Sequence, residues 1–219
     1  MYSLALFDLD GTLSDPLEGI GHSINHALQA HGHDALPFDV LATCVGPPLD
    51  QSFARLTGVS DPEALMSMVL SYRERFLDTG YAENTLYPGV TDALDALQRA
   101  GVAMALCTSK PEPGTRMILS LFGLTDYFGF LSCGDVGVEK WQQIEALRAA
   151  GTVDGKAIMI GDRAVDIEAG RRNGIATGGV TWGYGTREEL TAARPDLWFD
   201  QPADWLASLA PTLTDGPTT

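Results

Sequence analysis

The chain has 219 residues, of which 45% are hydrophobic and 20% are charged, and its formal net charge at pH 7 is −15. This length and composition are typical of a folded globular protein with one large domain or two small ones. The excess of negative charge argues against a nucleic-acid backbone or an anionic membrane surface as a general partner. An anionic substrate would need groups that reverse this field locally.

The three cysteines, Cys44, Cys107 and Cys133, form no CxxC motif. This pattern favours a reducing, cytoplasmic location over an oxidising one. The sequence has neither a basic segment followed by a long apolar stretch nor a run of 18 apolar residues, so we expect no signal peptide and no membrane span. Its charge does not decide between a monomer and a dimer.

The first predicted element is a buried strand over residues 4–7, an apolar run that is followed by Asp8, Asp10 and Gly11. In an open α/β sheet, ligands bind at the C-terminal ends of the strands, where these two aspartates emerge. Ionised carboxylates can attack an electrophile without an activating base, and two close together attract a metal ion. In the alternative interpretation, both aspartates merely form an Asp-Gly turn.

The next segment, residues 16–84, is predicted to be all-helical, with helices near 17–31, 48–57 and 62–79. Because it interrupts the α/β pattern after the first strand, we expect an insertion that covers the two aspartates like a lid. The chain would cross between the two parts near residues 14–16 and again near 82–88.

From about residue 85 onward, helices and strands alternate, and glycines end most of the helices. The predicted elements are helices near 90–100, 117–122, 139–151 and 166–174 and strands over 102–107, 157–160 and 176–180. This alternation predicts a Rossmann-like α/β fold with a parallel sheet and helices on both faces. The expected division is a catalytic core of residues 1–15 and 85–210, a helical cap of residues 16–84 and a flexible tail of residues 211–219.

Several polar residues lie at the ends of these strands. Thr108 follows the strand over 102–107, Asp162 follows the strand over 157–160, and Asp166 comes four residues later. Because parallel strands all point the same way, we expect Thr108 and Asp162 to meet Asp8 and Asp10 at one edge of the sheet.

A cluster of carboxylates would repel an anion unless a hard divalent cation such as Mg²⁺ neutralised it, so the metal-site candidates are Asp8, Asp10, Asp162 and Asp166. Lys140, at a predicted helix start, adds a fixed positive charge, and Thr108 offers a hydroxyl donor. This set suits phosphoryl transfer. Taken singly, Thr108 can be an ordinary strand-end residue, and Asp162 and Asp166 can be a helix N-cap and a first-turn acid.

The complete set of motifs resembles the haloacid dehalogenase superfamily. The segments that carry the resemblance are, in order, Asp8-Leu9-Asp10-Gly11-Thr12-Leu13, Cys107-Thr108-Ser109-Lys110-Pro111, Lys140 and Gly161-Asp162-Arg163-Ala164-Val165-Asp166. A helical insertion directly after the first motif is similar to the subgroup that contains phosphoglycolate phosphatases.

The resemblance implies a role for each catalytic candidate. Asp8 would be the nucleophile that forms an aspartyl-phosphate, and Asp10 would protonate the leaving group and then activate water. Thr108 and Lys140 would hold the phosphoryl oxygens. Asp162, together with Asp8 and the backbone carbonyl of Asp10, would bind Mg²⁺, with support from Asp166.

A halide leaving group needs no proton, whereas an alkoxide does, so Asp10 favours a phosphate ester as the small-molecule substrate. Ser109, Lys110, Gly46 and Pro47 are the substrate-binding candidates. Lys110 can equally be a solvated surface lysine, and Gly46 and Pro47 can simply start a helix.

Two further motifs receive structural interpretations. His22 and His26 have i, i+4 spacing but no clear third ligand, so we expect a solvated helix face. The segment Trp182-Gly183-Tyr184-Gly185 is expected to pack at the edge of the core.

The leading hypothesis is a Mg²⁺-dependent phosphomonoesterase acting on a small metabolite such as 2-phosphoglycolate. The alternatives within the same fold are a 5′-nucleotidase, a pyrophosphatase and a β-phosphoglucomutase. A receiver-like signalling protein or a silent phosphate-binding protein would belong to a different class. A receiver is disfavoured because no aspartate ends the strand over 102–107.

Overall fold

The computed structural model describes residues 2–134 and 137–210. The predicted tail of residues 211–219 lies outside the described residues. In chain order the strands are β1 (Leu4–Phe7), β2 (Ser14–Asp15), β3 (Thr85–Leu86), β4 (Met104–Thr108), β5 (Leu131–Cys133), β6 (Ala157–Gly161), β7 (Ala176–Val180) and β8 (Leu197–Phe199). The helices are α1 (Leu17–Ala30), α2 (Phe38–Leu41), α3 (Leu49–Thr57), α4 (Pro62–Asp78), α5 (Val90–Arg99), α6 (Glu112–Leu121), α7 (Lys140–Ala149), α8 (Ala164–Arg172), α9 (Arg187–Ala193) and α10 (Asp204–Leu209).

Six strands form one sheet in the order β5-β4-β1-β6-β7-β8, and every neighbouring pair in it is parallel. This confirms the predicted α/β class with a parallel sheet. The strands β4, β1 and β6 are adjacent, so the residues that follow them lie side by side.

The sheet is covered on both faces, as the continuous apolar runs predict. Alternate residues of β1 enter two different hydrophobic clusters, with Ala5 and Phe7 in one and Leu4 and Leu6 in the other. The first cluster includes residues of α5, α6 and α10, and the second includes residues of α7 and α8.

The helices α1 to α4 lie between β1 and α5, which places the helical insertion where the sequence predicts it. The strands β2 and β3 pair antiparallel, Ser14 with Leu86 and Asp15 with Thr85, so the two chain crossings lie side by side. Buried residues of the insertion, such as Ile24, join the same hydrophobic cluster as Phe7. The insertion therefore shares a continuous hydrophobic cluster with the α/β part, and its helix α4 contacts α6.

Some elements differ from the sequence prediction. The strands β5 and β8 were not predicted; each has three residues, and β5 is only half-buried, so neither has the long apolar run that identifies β1. The four-residue helix α2 is also shorter than periodicity can detect. Within residues 2–134 and 137–210, no helix is both long and apolar enough to cross a membrane.

Candidate active site

The site lies where β4, β1 and β6 end. Asp8 directly follows β1, Thr108 is the last residue of β4, and Asp162 directly follows β6. All three side chains are buried. The predicted meeting of these residues at one sheet edge therefore occurs.

Lys140 enters this cluster from the first turn of α7. The helix begins there because Glu139 and Gln142 form a capping box. The Nζ of Lys140 lies 3.0 Å from Oδ1 of Asp8 and also contacts Oδ1 of Asp166. Burial by itself would lower the pKa of Lys140, but the negative charges of Asp166 and Asp8 raise that pKa above its usual value, so the lysine is charged.

Asp8, Asp162 and Asp166 form a compact acidic cluster. One carboxylate oxygen from each lies within 4.8 Å of the others, and among the described residues this is the one group of acidic, cysteine or histidine side chains arranged to hold a metal ion. Burial, followed by the nearby negative charges, raises the pKa values of Asp162 and Asp166. Oxygen ligands of this kind are what a hard divalent cation such as Mg²⁺ prefers, so the donor set fits that ion.

Two backbone amides fix the orientation of the acidic cluster. The amide of Tyr184 donates to Oδ2 of Asp162 at 2.7 Å, and the amide of Arg163 donates to Oδ2 of Asp166 at 3.0 Å. The N-cap of α8 is Arg163, so Asp162 is not the helix N-cap, whereas Asp166 does lie in the first turn.

Glycine is required beside Asp162. Gly11 has φ +82°, and a Cβ there would lie 2.2 Å from Oδ2 of Asp162. At Gly183 a Cβ would lie 2.3 Å from Cβ of Asp162. A side chain at either position would displace the carboxylate.

Asp10 points toward a different partner from the acidic cluster. Its Oδ2 lies 2.8 Å from Nζ of Lys110, and that Nζ lies 4.3 Å from the centre of the Phe76 ring in α4. Burial raises the pKa of Asp10 although the charge of Lys110 opposes the shift. A raised pKa lets this carboxyl carry a proton more readily than an exposed aspartate. The carboxylate of Asp10, unlike that of Asp8, is not part of the acidic cluster.

Thr108 and Ser109 complete the floor of the site. The backbone carbonyl of Thr108 accepts a hydrogen bond from Nε2 of Gln143 at 3.2 Å, and its hydroxyl accepts one from the amide of Lys110 at 3.2 Å. These contacts fix the turn after β4.

A cavity of about 110 Å³ opens above these residues. The core lines it with Asp8, Asp10, Thr108, Ser109, Lys110, Pro111, Gly114, Lys140, Arg163 and Val165. The insertion lines it with Ile20, Cys44, Gly46, Pro47, Leu49, Tyr72, Arg73, Phe76 and Leu77. Every predicted catalytic and substrate-binding residue therefore borders one cavity, whereas Asp162 and Asp166 lie beneath it.

Two groups of site residues were not identified from the sequence. The Trp182–Gly185 segment does pack at the core edge, with Trp182 against Trp205, but it also holds Asp162 through the Tyr184 amide. The sequence signal that could have identified this segment as part of the site is its pair of glycines on either side of Tyr184. Tyr72, Arg73 and Phe76 also border the cavity, and no sequence pattern marks them as site residues.

The histidines of the insertion have structural contacts. Nδ1 of His22 lies 3.3 Å from Oε2 of Glu83, and its ring packs edge-on against Phe38. Nε2 of His31 lies 3.1 Å from the hydroxyl of Ser71. Among the residues that the structure describes, no histidine belongs to a metal-binding cluster.

This fold and site define an α/β enzyme whose charged groups act at the strand ends of a parallel sheet. Residues 5–180 match the family model described as haloacid dehalogenase-like hydrolase, and the chain belongs to that family. The resemblance found in the sequence is confirmed.

Individual relatives support the same assignment. The chain is 37% identical over 198 residues to a 5′-nucleotidase of Pseudomonas aeruginosa, covering 89% of each protein. It is 34% identical over 221 residues to a phosphoglycolate phosphatase of Agrobacterium fabrum, covering 96% of this chain and 91% of the relative. A crystal structure of a predicted phosphatase from Clostridium acetobutylicum matches with a TM-score of 0.88 and 32% identity, covering 95% of this chain and 98% of that one.

Proposed function

We propose that this chain is a Mg²⁺-dependent phosphomonoesterase that hydrolyses a small phosphorylated metabolite, such as 2-phosphoglycolate, through an aspartyl-phosphate on Asp8. The observation that carries the proposal is the joint placement of Asp8, Lys140 and Asp10 on one cavity, directly above the buried Asp162 and Asp166. Membership of the hydrolase family and the phosphatase names of relatives support the reaction class.

Asp8 is the proposed nucleophile. Its carboxylate attacks phosphorus, the bond from phosphorus to the ester oxygen breaks, and the alkoxide takes a proton from Asp10. Water, deprotonated by the same Asp10, then attacks the aspartyl-phosphate, and inorganic phosphate leaves. Because burial raises the pKa of Asp10, that residue is suited to hold the proton before transfer.

Lys140, Thr108 and Ser109 are the proposed ligands of the phosphoryl oxygens. Lys140 is buried and charged, and its contact with Asp8 places its Nζ beside the attacking oxygen. A fixed positive charge at this point neutralises charge on the transferring group. Lys110 contacts Asp10 instead, which places it closer to the leaving group.

The proposed Mg²⁺-binding groups are the side chains of Asp8, Asp162 and Asp166 and the backbone carbonyl of Asp10. When bound, the cation supplies positive charge that lets a phosphate dianion approach the acidic cluster. The repulsion among these buried carboxylates is the feature of the chain that calls for such a cation.

The size and charge of the cavity favour a small anionic ester. A volume of about 110 Å³ favours a leaving group of a few heavy atoms beside the phosphate. Arg73 is the one charged residue that the insertion contributes to the lining, and the rest of its contribution is mainly apolar. A carboxylate on the leaving group, as in 2-phosphoglycolate, would therefore meet a cation.

A 5′-nucleotidase is the second candidate function. The relative of that name from Pseudomonas aeruginosa favours it. A groove of about 560 Å³ adjoins the cavity and offers the space that a nucleoside would need.

Two further predictions stay open. The first is the division into a core of residues 1–15 and 85–210 and a cap of residues 16–84, which the helical insertion supports. The second is a cytoplasmic location, which the free cysteines support.

The test is phosphate release from a panel of esters, with Mg²⁺ and with EDTA. The panel includes 2-phosphoglycolate, its neutral analogue 2-hydroxyethyl phosphate, and nucleoside 5′-monophosphates. We expect Mg²⁺-dependent turnover that is highest for 2-phosphoglycolate and absent in Asp8→Asn. The exposed Asp126→Asn is the matched control and should retain full activity. Turnover in EDTA, or in Asp8→Asn, would contradict the mechanism, and a preference for nucleotides would select the second candidate.

A further inference from the structure

Arg163 makes a contact between the core and the insertion that the proposed chemistry does not use. Its Nη1 donates to the backbone carbonyl of Val45 at 2.6 Å, and its Nε donates to Oε1 of Glu189 at 2.9 Å. Oε1 of Glu189 also accepts a hydrogen bond from the amide of Ala164 at 2.8 Å. The guanidinium is therefore held on the core side and reaches across to the insertion.

Gly46, the residue that follows Val45, leaves room for this guanidinium because it has no side chain. Gly46 has φ +101°, a conformation that side-chain-bearing residues rarely adopt. A Cβ at Gly46 would lie 3.0 Å from Nη1 and 3.3 Å from Cγ of Arg163. Glycine thus allows the loop of residues 45–49 to lie directly against Arg163.

This contact lies between two spaces of different size. The catalytic cavity has a volume of about 110 Å³, and the adjoining groove has a volume of about 560 Å³. The residues that line only the groove include Pro48, Gln51, Trp141, Glu168 and Arg172. The residues that border both spaces are Gly46, Pro47, Leu49, Ser109, Lys140, Arg163 and Val165. Arg163 and the loop of residues 45–49 therefore form one wall of the boundary between the two spaces, and Ser109 and Lys140 lie on the core side of that boundary.

We propose that Arg163 is a specificity-determining residue, which limits the size of the leaving group by holding the loop of residues 45–49 closed against the core. The substrate class that this wall selects is the phosphate ester of a small alcohol. Opening the wall widens the passage between the cavity and the groove and admits a nucleoside. This inference rests on the proposed function, because it concerns the leaving group of the same phosphate ester.

The experiment compares Arg163→Met and Gly46→Ala with wild type. Methionine removes both donated hydrogen bonds, and alanine strains the backbone at φ +101° and crowds the guanidinium of an intact Arg163. Arg171→Met is the matched control, because Arg171 lies in α8, the helix that Arg163 precedes as N-cap, and its Nη1 also donates to a backbone carbonyl, that of Ala193 at 2.8 Å.

The first measurement is the ratio of kcat/KM for 2-phosphoglycolate to kcat/KM for AMP. We expect this ratio to fall about tenfold or more in both Arg163→Met and Gly46→Ala, as the loss of a charge-assisted hydrogen bond allows. The change should lie mainly in KM for AMP, and Arg171→Met should keep the wild-type ratio. A ratio within twofold of wild type in both variants, or an equal fall in Arg171→Met, would overturn the proposal.

The second measurement does not depend on turnover. The amide of Val45 donates to the carbonyl of Ala42 at 3.2 Å, and the amide of Ser52 donates to the carbonyl of Pro48 at 3.0 Å. Hydrogen exchange of these two amides should become about tenfold faster in Arg163→Met than in Arg171→Met. Unchanged exchange would refute the closure of the loop by Arg163, whatever the substrate. Faster exchange with an unchanged ratio would refute the size limit alone. If wild type hydrolyses no ester, or prefers AMP, the proposed small-ester function is wrong and the size limit is overturned with it, while the exchange result still tests the contact.

Discussion

Replacement of Lys140 by methionine tests the electrostatic design of the site. The ammonium lies 3.0 Å from Oδ1 of Asp8 and contacts Asp166, and the side chains of all three residues are at most 9% exposed. Removing one partner of a buried ion pair costs about 3–5 kcal/mol, because the remaining charge is left uncompensated. In EDTA at pH 7.5 we expect Lys140→Met to lose about 3–5 kcal/mol of unfolding free energy, measured by urea denaturation and tryptophan fluorescence.

The pH dependence of this loss follows from the same contacts. The charge of Lys140 lowers the pKa values of Asp162 and Asp166, so these values rise further in the variant. A carboxyl whose pKa is raised in the folded state binds protons there before it does so in the unfolded chain, so folding stability increases as the pH falls toward about 4. The deficit of Lys140→Met should therefore narrow by at least about 1 kcal/mol between pH 7.5 and pH 5.5.

The exposed Lys156→Met is the matched control, and it should change stability by less than about 0.5 kcal/mol. A deficit below about 1 kcal/mol for Lys140→Met, or a larger deficit that does not change with pH, would refute the reasoning, because the lysine would then compensate no buried negative charge.

Three further predictions follow from the site. Asp10→Asn should lower kcat/KM, which reports the steps through departure of the leaving group, by about 10²–10⁴ for an alkyl phosphate but less for p-nitrophenyl phosphate, whose leaving group needs no proton. Equal losses of kcat/KM for both esters would exclude general acid catalysis by Asp10. Gly11→Ala and its control Gly32→Ala place alanine at similar backbone angles, φ +82° and +79°. Only Gly11→Ala brings a Cβ within 2.2 Å of the Asp162 carboxylate, so only this variant should lose the rise in Tm that Mg²⁺ causes. Retention of that rise in Gly11→Ala would show that Asp162 is not a ligand. Protons compete with the cation for Asp162, whose pKa is raised. The increase in the Tm of wild type that Mg²⁺ causes should therefore be larger at pH 8 than at pH 5.5. An increase that does not depend on pH would contradict binding at Asp162.

The parts of the site that could be predicted are those that depend on strand ends. Asp8 and Asp162 each follow a fully buried apolar run, and adjacent parallel strands must place such residues side by side. Lys140 could be expected near them because it starts the helix that leads into β6.

The remaining contacts depend on tertiary packing and have no local signal. The Tyr184 amide reaches Asp162 across 22 residues, and Arg163 reaches Val45 across 118. Lys110 was equally well explained as a surface lysine, and only the packing of Phe76 and Asp10 around its ammonium places it in the cavity. The strands β5 and β8 escaped prediction for a related reason, because three residues in a sheet gain their stability from neighbours and not from their own pattern.

The central claim is that the phosphoryl group passes through Asp8. The most direct measurement is rapid acid quench of wild type turning over 2-phosphoglycolate with Mg²⁺, followed by peptide mapping by mass spectrometry. We expect a phosphoryl group on the peptide that contains Asp8, which decays as substrate is exhausted and is absent in Asp8→Asn. Turnover without a phosphorylated Asp8, or phosphorylation at another residue, would contradict the account.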